Sequence, residues 1–344
     1  MILTEQMKID FKDKNKIYII AEIGMTHDGS LGLASKLTES AIKSGANVIK
    51  YQWHIAEEET SEDAPSPPYF KGETRFSYFK RTEFSIEQFK SLVKQCIDSS
   101  VIPCVSVFSI ESLERAIKAG FKIIKIPSGE VTNIPLLREI ALKEIPVIIS
   151  SGMSNWEELD NAINVFKKNS NLCVLQCTSM YPTPPEKVGL NILLELKKRY
   201  KIPYGLSDHT LSGATSISAV TLGAQVIEKH FTISKKLYGP DARFSLEPEE
   251  FKKLVQDINY VKKALTNKVD KNQLDSYKEM KLIFQKSIFS NNFIKKGEKF
   301  DLNNLAFKKP GSGIPASKID DIIGKISTED IEKGAMIKKE WIRN

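Results

Sequence analysis

Cysteine and histidine are both scarce in this 344-residue chain, at four residues each. Cys96, Cys104, Cys173 and Cys177 have neither the density of a disulfide framework nor the spacing of a zinc site. A stapled secreted scaffold is therefore excluded, and reduced, buried thiols in a cytoplasmic protein are expected. The N-terminal MILTEQMKIDFKDKNK lacks an apolar stretch ahead of small residues, which argues against a secretory signal. The one charge-free stretch of membrane length, Thr210 to Ile227, is half Ser, Thr, Gly and Gln, and reads as a helix followed by a strand, so no membrane span is expected. No basic run is interleaved with stacking aromatics, so the net charge of +7 suits anionic small molecules and gives no footprint for nucleic acid.

The composition, 41% hydrophobic and 27% charged, is that of a globular chain, long enough for one large domain and a smaller one. Eight short Ile- and Val-rich runs recur: 17–23, 47–52, 102–107, 122–127, 146–150, 172–177, 203–206 and 225–230. Between them lie amphipathic stretches at 31–44, 111–119, 133–143, 189–199 and 212–222, with capping-box signatures at Ser85/Gln88 and Ser154/Glu157. Continuous apolar strands alternating with helices imply parallel strands covered by helices, and eight such units within about 250 residues are the count of a (β/α)8 barrel. An open doubly wound sheet is the alternative.

Only residues 53–84 form a long connection. With three prolines and five aromatic residues in APSPPYF and RFSYFKR, it reads as a lid. Residues 1–265 are assigned to the barrel, 266–286 to a linker, and 287–344 to a small β-rich module. In that module IKKGEKFDLNNL (294–305) and IEKGAMIKKEWI (331–342) look like one unit written twice, each with a turn glycine, Gly297 or Gly334.

None of the histidines falls on a helical stretch: His27 and His54 follow the first two strands, His209 follows the seventh and His230 ends the eighth. In a barrel the C-terminal strand ends converge, so all four are candidates for one cavity. The same strand ends carry Glu22, Lys50, Gln52, Ser106, Lys125, Ser128, Glu130, Ser207, Asp208 and Glu228, polar groups that are costly to bury unpaired. Lysines and serines suit a phosphate and a carboxylate. Imidazoles and carboxylates suit a hydroxylated substrate and a divalent metal in an open site, Mn2+, Mg2+ or Co2+ in preference to structural zinc. Lys229, on the opposite strand face, reads as a snorkelling strand end.

The segments AEIGMTHDGS (21–30), KYQ (50–52), KIPSGE (125–130), QCTSMYPTPP (176–185), GLSDHT (205–210), IEKHFT (227–232) and YGPDARFSLEP (238–248) together resemble the sialic acid synthase family over nearly the whole chain. Members are TIM barrels followed by a small antifreeze-like (SAF) domain. The resemblance implies condensation of phosphoenolpyruvate (PEP) with an N-acetylated mannose-type sugar and water, giving a nine-carbon 2-keto acid and phosphate with a divalent metal. It places His209 and His230 on the metal, and Lys50, Ser106, Lys125, Ser128, Ser179 and Ser207 on PEP. Glu22 would orient or deprotonate water, Glu130 and Glu228 would support the site, and Gln52, Tyr181 and Asp241 would hold sugar hydroxyls. Ser106 stands where the family often has Thr, and Ser179 where some members have Asn. The resemblance also implies a domain-swapped homodimer in which the SAF domain offers an arginine to the partner's sugar. Here that position is Lys309, which keeps the charge without the planar fork. YGPD at 238–241 looks like the neuraminate and legionaminate branches more than the pseudaminate one.

Two rival readings use the same residues differently. A Schiff-base aldolase would employ Lys50 or Lys125 as the nucleophile and need no metal. A carbohydrate- or ice-binding protein would bind without turnover, but an inert barrel has no need of Glu22, Lys50, His209 and His230 at one face.

Overall fold

The computed structural model describes residues 9–66, 72–167 and 171–344. Chain contacts divide it into two units, Met1–Asn267 and Lys268–Asn344. In the first unit eight parallel strands close into a barrel: β1 (Tyr18–Gly24), β2 (Val48–Trp53), β3 (Ile102–Val107), β4 (Ile123–Ile126), β5 (Val147–Ser150), β6 (Leu172–Cys177), β7 (Tyr204–Asp208) and β8 (Val226–His230). The covering helices are α1 (Leu31–Lys43), α2 (Ala56–Glu59), α3 (Arg75–Thr82), α4 (Ile86–Asp98), α5 (Ile110–Ala119), α6 (Ile134–Leu142), α7 (Trp156–Val165), α8 (Leu190–Tyr200), α9 (Ala214–Thr221) and α10 (Pro248–Thr266). The architecture is a TIM barrel. The 210–227 stretch is α9 followed by the start of β8, and no helix among the described residues is long and apolar enough to cross a membrane.

Helix starts follow local chemistry. Ser85 and Gln88 form the expected capping box on α4. On α7 the box is one residue later than the sequence suggests: Asn155 accepts from the Glu158 N–H at 2.9 Å and the Glu158 carboxylate takes the Asn155 N–H. Ser154 is instead held in a turn by the Ser151 carbonyl.

The barrel interior is graded from apolar to polar. At the N-terminal end Tyr18, Ile20, Val48, Ile102, Cys104, Ile123, Ile148, Cys173 and Val226 pack with Phe11, which plugs the floor at 0% exposure. Around the strands, Tyr51 and Trp53 join the larger cluster between sheet and helices. Strand alternation therefore sends Lys50 and Gln52 to the opposite side, inward. The four cysteines are free and buried.

The long connection after β2 contains α2 and α3. Part of it, residues 67–71, which include the PPYF of APSPPYF, lies outside the described residues.

The second unit contains α11 (Lys278–Phe284), an antiparallel pair β9 (Ser287–Ser290) and β10 (Leu305–Lys308), and a smaller pair β11 (Ile326–Ser327) and β12 (Ile342–Arg343). Ile288, Ile294, Phe300, Leu305, Ile314, Ile322, Ile331 and Ile337 form its core. The twice-written motif is a structural repeat. Ile294 and Ile331 bridge antiparallel, exchanging N–H···O bonds of 2.9 and 2.8 Å, and Gly297 and Gly334 both turn the chain with positive φ, +84° and +83°.

Candidate active site

Strand register assembles the site. Glu22 on β1 stands opposite Lys50 on β2 and His230 on β8; Gln52 faces Ser106 across β2 and β3, and Ser106 faces Lys125 across β3 and β4. On the other side Ser207 pairs with Glu228 across β7 and β8. These side chains, with Ser128, Glu130, Ser179, Tyr181, His209 and Asp241 from the loops that follow the strands, line one cavity of about 390 Å³. Every barrel residue to which the family resemblance assigns a role is thus at the cavity wall. Lys309 belongs to the second unit, where its Nζ lies 4.8 Å from the Phe284 ring centre.

Two buried lysines and two buried carboxylates form its base. Lys50 Nζ is 3.0 Å from Glu22 Oε2 and 3.4 Å from Glu228 Oε1, and donates to Ser106 Oγ at 3.1 Å. Burial alone would depress its pKa, but the two carboxylates outweigh burial and hold it above the ordinary lysine value. Lys125 is 3.5 Å from the same Glu228 oxygen, and burial wins there, so its pKa lies below the ordinary value. Glu228 also accepts from Ser207 Oγ at 2.9 Å; burial raises its pKa, yet Lys125 and Lys50 outweigh that and hold it down. Glu130 accepts from Asn133 at 2.8 Å, and burial raises its carboxyl.

Beside this base, Ser128 Oγ accepts the Gly152 N–H at 3.0 Å. A Cβ on Gly152 would fall 2.5 Å from Ser179 Oγ and 2.6 Å from Ser128 Oγ, so only glycine lets the two hydroxyls converge. Gly24 makes similar room beside Asp241. Its φ is +52° and an added Cβ would stand 2.4 Å from Asp241 Oδ2, which takes the Met25 N–H at 2.8 Å.

His209 and His230 are 93% and 92% shielded, with ring centres 5.5 Å apart. His209 Nδ1 donates to the Thr178 carbonyl at 2.8 Å, which leaves the Nε2 lone pair available. Burial, reinforced by His230, pushes the His209 pKa down to about 3, so the ring is neutral at physiological pH. His230 Nδ1 is buried without a hydrogen-bond partner. A neutral imidazole fixed by a carbonyl and a second with an orphaned nitrogen fit a divalent metal. Among the described residues no group of three or more His, Cys, Asp or Glu side chains could enclose an ion, so water or substrate oxygens would complete the coordination.

Three sequence assignments change. His27 is not at the cavity: it stacks on Phe84 at 4.4 Å and its Nδ1 accepts the Gly29 N–H at 3.1 Å, while burial pushes its pKa down to about 3. Asp208 points outward into the helix layer, accepting from Thr215 and Ser216 hydroxyls at 2.6 Å each and from the Thr210 N–H at 2.9 Å. Lys229 points outward as expected but does not snorkel; it is 1% exposed and pairs with Asp208 at 3.1 Å. Sequence reasoning passed over Arg75, Phe79, Phe108 and Met153, which also line the cavity. Arg75 and Phe79 come from α3 in the long connection, a helix of eight residues too short for its period to reveal them. Gly152 was legible in principle, as a glycine two residues past the end of β5.

Fold and cavity together define a TIM-barrel enzyme. The NeuB family model matches residues 37–270 and the SAF domain model matches 286–343. An N,N'-diacetyllegionaminic acid synthase of Campylobacter jejuni is 37% identical, covering 94% of this chain and 99% of its own. The human N-acetylneuraminate-9-phosphate synthase is 32% identical over 95% of this chain and 93% of its own. The crystal structure of an N-acetylneuraminic acid synthetase from Leptospira borgpetersenii, 31% identical, superposes with a TM-score of 0.69 over 78% of this chain and 90% of that one. This chain belongs to the NeuB family of sialic and legionaminic acid synthases and carries a SAF domain.

Proposed function

We propose that the protein condenses PEP with N-acetylmannosamine and water to give N-acetylneuraminate and phosphate. The observation that carries this reading is the juxtaposition, in one cavity, of a lysine–serine cradle with two buried imidazoles, His209 held neutral by burial and His230 with an unpartnered Nδ1. Lys50, Lys125 and the hydroxyls of Ser106, Ser128, Ser179 and Ser207 suit the carboxylate and phosphate of PEP. A divalent cation on His209 and His230, with Mn2+ as first choice, would supply Lewis-acid polarisation of the sugar aldehyde. Asp241, Gln52 and Tyr181 then orient the open-chain sugar so that its aldehyde carbon meets the PEP methylene. Glu22, held between Gln52 at 2.6 Å and Lys50 at 3.0 Å, is placed to take a proton from the water that adds to the resulting cationic carbon. Glu228 and Glu130 keep the charge of the site in balance.

A domain-swapped homodimer completes the proposal. It is supported by α11, on which Met280, Leu282, Ile283 and Phe284 are each half exposed. In it Lys309 would meet the partner's sugar. The protein is read as cytoplasmic, since its reduced, buried thiols suit that compartment.

A second acceptor, 2,4-diacetamido-2,4,6-trideoxymannose, is consistent with the Campylobacter relative, which is nearer in sequence than the human one, and with the apolar Met25, Phe79, Phe108 and Met153 in the cavity lining. The deciding experiment is phosphate release from PEP with Mn2+, offering the two sugars in parallel with EDTA controls. Release with N-acetylmannosamine alone supports the first reading, release with the diacetamido sugar alone the second. No metal-dependent release with either sinks both.

A further inference from the structure

Beyond the residues assigned so far, a buried hydrogen-bonded chain leads away from Glu22. Gln52 Nε2 is 2.6 Å from Glu22 Oε1, Gln52 Oε1 is 2.9 Å from His54 Nε2, and His54 Nδ1 is 2.6 Å from Glu59 Oε1. The His54 and Glu59 side chains are 4% and 3% exposed. Lys50, Gln52 and His54 are alternate residues, so the strand and its extension present all three inward, while Glu59 is the last residue of α2 in the long connection. His54 is also clamped between two rings, Phe79 of α3 at 3.8 Å and Phe108 at 4.1 Å.

Proton placement along this chain is forced from one end. Glu22 is ion-paired with Lys50 and so accepts from Gln52, which must therefore turn its amide nitrogen to Glu22 and its carbonyl oxygen to His54. A carbonyl oxygen can only accept, so His54 Nε2 must carry a proton. Glu59 and His54 Nδ1 then share the remaining proton of the pair, on either atom. Both arrangements keep Nε2 as the donor.

We infer that His54 and Glu59 are positioning residues of the condensation: the aromatic-clamped dyad locks the Gln52 amide in the one orientation that both steadies Glu22 and presents a fixed amide to the sugar. The inference rests on the synthase reading only in taking the cavity at Gln52 as the sugar side. It also gives the connection after β2 a task besides covering the cavity, since it supplies Glu59 and Phe79.

The test combines a spectroscopic and a kinetic readout on the full chain. With only four histidines, long-range 1H–15N spectra of 15N-histidine-labelled protein resolve each ring, and His54 is the set of signals lost in His54→Phe or His54→Asn. A protonated Nε2 is expected, and an unprotonated Nε2 overturns the inference whether or not the enzyme is active. In phosphate-release assays His54→Phe, which keeps the ring stack, is expected to lower kcat/KM for the sugar by roughly 10- to 100-fold with little change in the KM for PEP. Added to Gln52→Leu, it should cause no further loss, because the two act through one contact. Additive losses, or equal losses for both substrates, would mark His54 as merely structural. Should the wild type release no phosphate with either sugar, the synthase reading falls while the spectra still decide the chain.

Discussion

Lys229→Met isolates the energetic cost of a buried ion pair that sits one residue from each proposed metal ligand. Lys229 Nζ, at 1% exposure, bonds Asp208 Oδ2 at 3.1 Å and the Ser212 carbonyl at 3.0 Å, and also holds the Thr210 carbonyl. Removing one partner of such a pair strands the other charge, typically at about 3–5 kcal/mol. Asp208 keeps its Thr215, Ser216 and Thr210 donors, so the lower end applies, about 3 kcal/mol. At about 2–4 °C per kcal/mol for a domain of this order, the barrel transition should fall by about 6–12 °C. Scanning calorimetry at neutral pH measures it, and Lys229→Met combined with Asp208→Asn should recover part of the loss, because removing both charges leaves none stranded. The sign with pH is fixed as well. Burial raises the Asp208 pKa, but Lys229 and the donors outweigh it and hold it below the ordinary value, so the wild type's advantage is present at neutral pH and shrinks as acid protonates Asp208. A single variant within 1 °C of wild type by calorimetry, or a double variant that loses the sum of both, would refute the account.

Gly24→Ala puts a Cβ at φ +52° against Asp241 and should displace its carboxylate, lowering kcat/KM for the sugar by roughly 10-fold or more while sparing the KM for PEP; steady-state kinetics with each substrate varied decides it. Glu228→Gln removes the charge that chiefly opposes burial at Lys125, so the alkaline limb of the kcat/KM profile for PEP should move to lower pH, and an unmoved limb would show that Lys125 does not govern it. His209→Ala should abolish metal-dependent phosphate release with little loss of thermal stability; retained, EDTA-sensitive turnover would take His209 out of metal binding. Lys309→Ala should raise the apparent KM for the sugar more than that for PEP, and equal effects would argue against its contact with the sugar.

The barrel was legible because each strand is a short apolar run and each helix a periodic one, both set by local sequence. The inward chemistry was legible at strand ends, where Lys50, Lys125 and Glu228 break apolar runs. Parity is the finer signal. It sorts Lys229 from Glu228 correctly, and applied to β7 it sends Ser207 and His209 inward and Asp208 outward, which a bare list of polar strand ends does not. His27, three residues past the end of β1, follows turn geometry, so its ring packs on Phe84 instead of facing the cavity. Glu59, Arg75 and Phe79 sit on helices α2 and α3, too short to show a clear period in the sequence, and tertiary packing brings them to His54 and the cavity.

Strand β2 writes two messages in alternating letters. Lys50 and Gln52 face the cavity, while Tyr51 and Trp53 hold the sheet to its helices. Substitution at the inward Gln52 can therefore alter the cavity wall while leaving the packing of Tyr51 and Trp53 in place, and drift at an outward letter can retune the scaffold without touching the cavity. Insertion or deletion of a single residue exchanges the two sets at once, placing Trp53 in the cavity and a lysine against the helices. Lineages of this chain should thus diversify along β2 by replacement and never by length.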